Sequence, residues 1–144
     1  MTPAGLAQLK NEEGLRLTAY PDPLSGGAPW TIGYGHTGPE VHQGLKWTKA
    51  QAEAALAADV AKAETGVEKA LPWTSGLDPV RRDVLTDMTF NMGLEGLLGF
   101  HHTLDLIKTG QYDQAADGML ASEWARQTGP RARRLAAEMR TGAR

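Results

Sequence analysis

Cysteine is absent from the 144 residues, so neither a disulfide scaffold nor a thiolate metal site can be built. That absence leaves the redox compartment open. Aromatic residues are scarce, at 6%, and none follows Trp124, so the C-terminal stretch lacks the stacking platforms of a single-strand binder and nucleic acid is not expected as a partner. Long apolar runs are missing too. Every such stretch is interrupted within a few residues by charge, Gly or Pro, so stable membrane insertion is not expected. The opening Met1-Thr2-Pro3-Ala4-Gly5 has no basic stretch leading into an apolar one, and no signal peptide is expected.

What is present reads as a soluble globular protein: 41% hydrophobic and 22% charged residues, in a length that fits one domain. Such a chain buries roughly two-thirds of the surface its unfolded form would expose. The net charge of −2 is unevenly placed. Residues 1–100 carry 8 Lys/Arg against 12 Asp/Glu, whereas residues 126–144 carry 6 Arg and 1 Glu. Arg126, Arg131, Arg133 and Arg134 are therefore expected either to attract an anionic partner or to form a solvated helix face.

Thr2-Pro3 reads as a helix start, a hydroxyl N-cap with proline at the first helical position, and Gly14 as the stop. Leu15 to Tyr20 and Trp30 to Gly35 flank a Pro/Gly-rich loop and suggest a small antiparallel sheet, in which Gly33 and Gly35 mark close approach by another group. Thr48-Lys49-Ala50-Gln51 is a capping box opening a long alanine-rich helix that carries Leu56, Val60, Val67 and Leu71 at helical spacing and ends at Pro72. Asp78-Pro79 opens the next helix, which closes near Gly93, and short helical patterns continue to the end. The expected fold class is α+β, mainly helical, as one domain over 1–144. It comprises a β-containing N-terminal lobe at about 15–47, a connecting helix at 48–71, and a helical lobe at 72–144 joined by the N-terminal helix 3–13.

The first helix singles out a carboxylate. At about 100° per residue Glu13 points within about 10° of the mean direction of Leu6 and Leu9, while Glu12 lies about 90° away. Glu13 is thus expected at the edge of buried surface and in the last helical turn, two settings that favour the neutral acid a proton donor must be. Asp22, in Tyr20-Pro21-Asp22-Pro23, is by itself an ordinary turn former. As a second carboxylate facing Glu13, with the Thr31 hydroxyl holding a water, it would complete a set able to hydrolyse a glycosidic bond.

In sequence order these residues are specific. Glu13-Gly14-Leu15-Arg16-Leu17, then Ala19-Tyr20-Pro21-Asp22, then Trp30-Thr31-Ile32-Gly33-Tyr34-Gly35-His36, resembles the phage-type lysozymes, the endolysin muramidases of the T-even and lambdoid phages. The resemblance continues through Thr48-Lys49 to Asp59-Val60, Val80-Arg81-Arg82, Phe90-Asn91-Met92-Gly93, Gly99-Phe100, Trp124, Gln127-Thr128, Arg131-Ala132, Arg134 and Arg140-Thr141-Gly142.

The resemblance implies a lysozyme-like fold and a monomer that needs no cofactor and no metal. It implies hydrolysis of the β-1,4 bond between N-acetylmuramic acid and N-acetylglucosamine in peptidoglycan, with inversion. Glu13 would be the catalytic acid, and Asp22 and Thr31 would hold the attacking water. Phe90, Asn91 and Thr103 match positions lining the saccharide cleft, Arg131 matches an arginine that approaches the catalytic glutamate, and His36 and Asp59 match a structural ion pair. Such an endolysin would be made in the host cytoplasm and reach the wall after release. This chain departs from the family in three places: a longer loop between Asp22 and Thr31, Thr37 in place of a leucine, and Gly118 in place of an asparagine.

Rival readings differ in chemistry. A lytic transglycosylase cuts the same bond with a single glutamate and leaves an anhydro sugar, so the presence of Asp22 and Thr31 argues against it. A non-catalytic cell-wall-binding module of a phage tail would not need all three catalytic positions filled. His42, His101 and His102 do not have the pattern of a metal site, and Trp124, at helical spacing from Leu120, is expected in the core.

Overall fold

The first three α-helices start where the capping chemistry puts them. In the computed structural model, which describes residues Met1–Arg144, α1 (Pro3–Glu13) opens with Thr2 Oγ1 accepting the Gly5 N–H at 3.0 Å. It ends at Gly14, whose φ of +70° suits a residue without Cβ and whose N–H returns to the Lys10 carbonyl at 2.9 Å. Next come β1 (Arg16–Tyr20), β2 (Thr31–Gly33) and β3 (His36–Thr37), and then α2 (Lys49–Ala70). The α2 capping box is reciprocal: the Gln51 N–H reaches Thr48 Oγ1 at 3.2 Å, and Gln51 Oε1 accepts the Thr48 N–H at 2.8 Å.

A 3-10 turn at Pro72–Gly76 leads to α3 (Pro79–Met92), capped by Asp78 accepting the Arg81 N–H at 3.1 Å. The remaining elements are α4 (Leu94–Leu98), α5 (His101–Lys108), α6 (Tyr112–Leu120), α7 (Glu123–Thr128) and α8 (Pro130–Thr141). This is the α+β, mainly helical fold read from the sequence. No helix is long and apolar enough to cross a membrane.

The sheet is antiparallel, in the order β1-β2-β3. Arg16 pairs with Gly33 and Tyr20 with Thr31, so four residue steps on β1 face two on β2, and the strand bulges between the pairs. The free edge of β1 is covered by the segment before α2. There Thr18 bridges Lys46, the Ala19 N–H bonds the Leu45 carbonyl and the Trp47 N–H bonds the Leu17 carbonyl, both at 2.9 Å.

The chain divides into two compact units, one spanning Leu6–Lys62 and the other formed by Met1–Gly5 with Ala63–Arg144. In the first, Ala19, Ile32 and Val41 form a small core packed by Trp30, Leu45 and Trp47. In the second, residues such as Val84, Leu85, Met88, Ile107, Met119 and Leu135 form a larger core from α3, α5, α6 and α8. Trp124 joins that core, as its spacing predicts.

Candidate active site

Glu13 is the last residue of α1 and is half-buried, one turn beyond the fully buried Leu9. Its carboxyl rests against the tight turn between β2 and β3, where an ideal Cβ on Gly35 would stand 2.4 Å from Glu13 Oε1. Glu12 differs from the simple helical-wheel picture. It too is half-buried, and its Oε2 is closed off from solvent, because the surroundings cover more of the helix end than the Leu6/Leu9 stripe alone defines.

Asp22 follows β1 by two residues and is half-buried. The long loop after it folds back onto it. Asp22 Oδ2 accepts the Ser25 N–H at 3.0 Å, the Asp22 N–H reaches the Gly27 carbonyl at 2.9 Å, and the Gly26 N–H reaches the Asp22 carbonyl at 2.8 Å. Ser25 Oγ closes the loop by donating to the Ala28 carbonyl at 2.9 Å. The extra length of this loop therefore folds back to hold the Asp22 carboxylate, through a local side-chain-to-backbone bond that its Asp/Ser/Gly composition permits. Oδ1 takes no hydrogen bond from the protein. Thr31 opens β2, paired with Tyr20 on one side and Thr37 on the other, half-buried and with its hydroxyl free of protein partners. Glu13, Asp22 and Thr31 thus all belong to the Leu6–Lys62 unit, with β1 between Glu13 and Asp22 in the chain.

The other candidates lie in the second unit. Phe90 is half-buried near the end of α3, and the exposed Asn91 beside it accepts the Trp124 indole N–H on Oδ1 at 2.7 Å. Thr103 on α5 is buried at 6% exposure and packs against Gly118, where a Cβ would stand 2.7 Å from its hydroxyl oxygen. Arg131 is ion-paired with Asp87, its Nε 2.9 Å and Nη2 2.8 Å from Oδ1.

A phage lysozyme family model matches residues 10–140. The chain belongs to the phage lysozyme family. Among curated relatives it is 33% identical to an endolysin of Bacillus phage B103 over 81% of this chain, which spans 43% of that relative's length. It is 33% identical to an endolysin of Salmonella phage P22 over 81% of this chain and 78% of the relative. It is also 28% identical to a probable T4-type lysozyme of Dictyostelium discoideum over 93% of this chain and 92% of the relative. This places it among lysozyme glycoside hydrolases.

Within this lysozyme, the His36–Asp59 pair implied by the resemblance forms, with Nδ1 and Oδ2 2.7 Å apart. Sequence reasoning missed that Glu40 takes the other ring nitrogen at 2.6 Å. Burial pulls the imidazole pKa down, but the hydrogen bonds to Glu40 and Asp59 outweigh it and leave it above its ordinary value. The carboxyl of Glu40 is lowered in turn, chiefly by its hydrogen bond to His36.

Three of the four arginines read as a possible anion-attracting tail are engaged within the lysozyme. Arg131 and Arg134 flank Asp87, Arg134 also reaches Glu138 at 2.7 Å, and Arg126 pairs with Glu123. Much of the basic cluster therefore neutralises local acids, including the buried Asp87 and Glu138.

Proposed function

We propose that this lysozyme hydrolyses the β-1,4 bond between N-acetylmuramic acid and N-acetylglucosamine in peptidoglycan, with inversion at the sugar carbon. Glu13, in its protonated form, gives its proton to the glycosidic oxygen as the bond from that oxygen to the anomeric carbon breaks. A water held by Asp22 and Thr31 attacks the carbon from the opposite face and passes a proton to Asp22, and exchange with solvent restores both carboxyls. The observation that carries this reading is the placement of Glu13 and Asp22 at opposite ends of β1, with Thr31 on the paired strand. The two carboxyls stand on separate segments with a strand between them in the chain, and an inverting hydrolase needs its carboxyls far enough apart to admit a water. Oδ1 of Asp22 and the Thr31 hydroxyl are the groups left to hold it. No metal or cofactor is required by such chemistry.

Phe90, Asn91, Thr103 and Arg131 are proposed to contact the saccharide, Phe90 through its ring and Arg131 through a guanidinium already oriented by Asp87. The polymer is proposed to be the wall of the bacterium in which the protein is made, reached after release from the cytoplasm, and the working form a monomer. The endolysin relatives support that setting.

The test is digestion of purified peptidoglycan with mass spectrometry of the soluble fragments. Wild type is expected to yield hydrated reducing ends. Glu13→Gln and Asp22→Asn should each lower turnover by about 100-fold to 10,000-fold while leaving thermal unfolding intact. Anhydro ends, lighter by one water, together with activity surviving in Asp22→Asn, would make this a transglycosylase. Tight sedimentation with the wall but no turnover in wild type would make it a binding module.

A further inference from the structure

The turn Tyr34-Gly35 joins β2 to β3 and meets the end of α1 where Glu13 projects. An ideal Cβ on Gly35 would lie 2.4 Å from Glu13 Oε1, 3.1 Å from its Cδ and 3.6 Å from its Cγ. Carbon and oxygen do not pack that closely, so the carboxyl occupies space that only glycine leaves open. Gly35 also has a φ of +72°, a second reason for glycine. The two reasons are separable in this chain, because Gly44 has a φ of +89° and nothing within 4 Å of where its Cβ would be.

The turn is fastened on both sides of Gly35 to one helix. Tyr34, buried at 7% exposure, donates its hydroxyl to Glu53 Oε1 at 3.0 Å, and His36 pairs with Asp59 at 2.7 Å. Both acceptors are on α2. The helix carrying Glu13 is tied to the same place, since Lys10 Nζ lies 2.6 Å from Glu53 Oε2. Glu53 therefore holds the turn with one oxygen and α1 with the other. Neither the turn nor the helix end can slide past the other without breaking a bond to Glu53.

We propose that the Tyr34–His36 turn is the positioning element for Glu13. Gly35 is the wall on which the carboxyl is seated, and Tyr34 with Glu53 sets the register between wall and helix. The inference rests on the reading of Glu13 as proton donor. Gly35 acts only through Glu13, which makes it a positioning residue. An alanine there must push the carboxyl back by roughly 1 Å, a misplacement that costs about a hundredfold in rate when the displaced group does the chemistry.

The experiment compares Gly35→Ala, Gly44→Ala, Glu13→Ala and the Glu13→Ala/Gly35→Ala double variant, by kcat and KM on soluble peptidoglycan fragments and by Tm. Gly35→Ala is expected to lower kcat about a hundredfold with KM little changed. Gly44→Ala, which carries the backbone strain without the contact, should lose Tm and keep kcat. Alanine at 35 should cost less Tm in the Glu13→Ala background than in wild type, because the atom it meets has been removed. Should Gly35→Ala fail to fold, Tyr34→Phe keeps the glycine and removes only the bond to Glu53, and it should lower kcat several-fold at constant KM. A wild-type kcat in Gly35→Ala or in Tyr34→Phe, or an equal Tm cost in both backgrounds, overturns the proposal. If instead Glu13→Gln keeps full turnover, it is the catalytic reading that has failed, and the Tm comparison still decides whether Gly35 seats the carboxyl.

Discussion

His36 has both ring nitrogens engaged by carboxylates, so its contacts answer to pH. The groups facing it are Asp59 from α2, Glu40 beyond β3, and the neutral ring of Trp47 at 5.3 Å. Its folded pKa is raised above the ordinary 6.5, so its contribution to stability is fully present below that value and fades as pH climbs through the raised one. Glu40, whose pKa is lowered, acts oppositely, and its share is lost as pH falls through the lowered value. His36→Asn should therefore lower Tm most at about pH 6 and progressively less towards about pH 9, in thermal melts of both proteins across that range. A gap that widened with rising pH would contradict the assignment. Asp59 was legible through the family pattern. Glu40 was not, because its reach depends on the Gly38 turn, where the Val41 N–H returns to the Gly38 carbonyl. Gly35 was half legible: a glycine in a strand pattern announces a close neighbour, but nothing local says that the neighbour is a carboxyl from residue 13.

Among elements, the starts of α1, α2 and α3 were readable because a cap is chemistry confined to four consecutive residues. Thr2, Thr48 and Asp78 each accept the N–H three residues on. Thr48→Ala should cost about 1 kcal/mol, read as a shift in the urea midpoint at constant slope, with kcat unchanged. The loop between Asp22 and Thr31 was visible only as extra length. Its internal bonds run between neighbours, yet which of several Asp, Ser and Gly groups would pair is set by backbone angles that composition leaves open. The arginine-rich α8 shows the opposite failure. Charge counting along the chain sees Arg131 and Arg134 but not Asp87, which approaches them from α3.

For the molecule as a whole, that buried acid bears a large part of the electrostatic risk. Asp87 is 2% exposed and receives two guanidiniums whose side chains are only 11% and 23% exposed. Asp87→Ala would take from Arg131 and Arg134 the carboxylate they share, although Arg134 keeps Glu138, and it should destabilise by about 3 kcal/mol, lowering Tm by roughly 10 °C. Asp87→Asn, which keeps acceptor geometry, should lose less. Calorimetry of the two variants separates charge from shape.

Asp83 draws remote ends together in a comparable way, accepting the Thr2 N–H at 3.2 Å, the Thr2 hydroxyl, and a donor from Arg144. The unit around it is stitched from Met1–Gly5 and Ala63–Arg144, whereas the other unit is a single unbroken run. On the ribosome those two layouts have different schedules. Residues 6–62 form one unbroken run, so that unit is fully synthesised once Lys62 has been made. Thr2 waits longer: at about 5–20 residues per second, on the order of ten seconds passes between its synthesis and that of Asp83 and Arg144, the groups it bonds. Thr2 therefore leaves the ribosome well before either of the groups that will hold it.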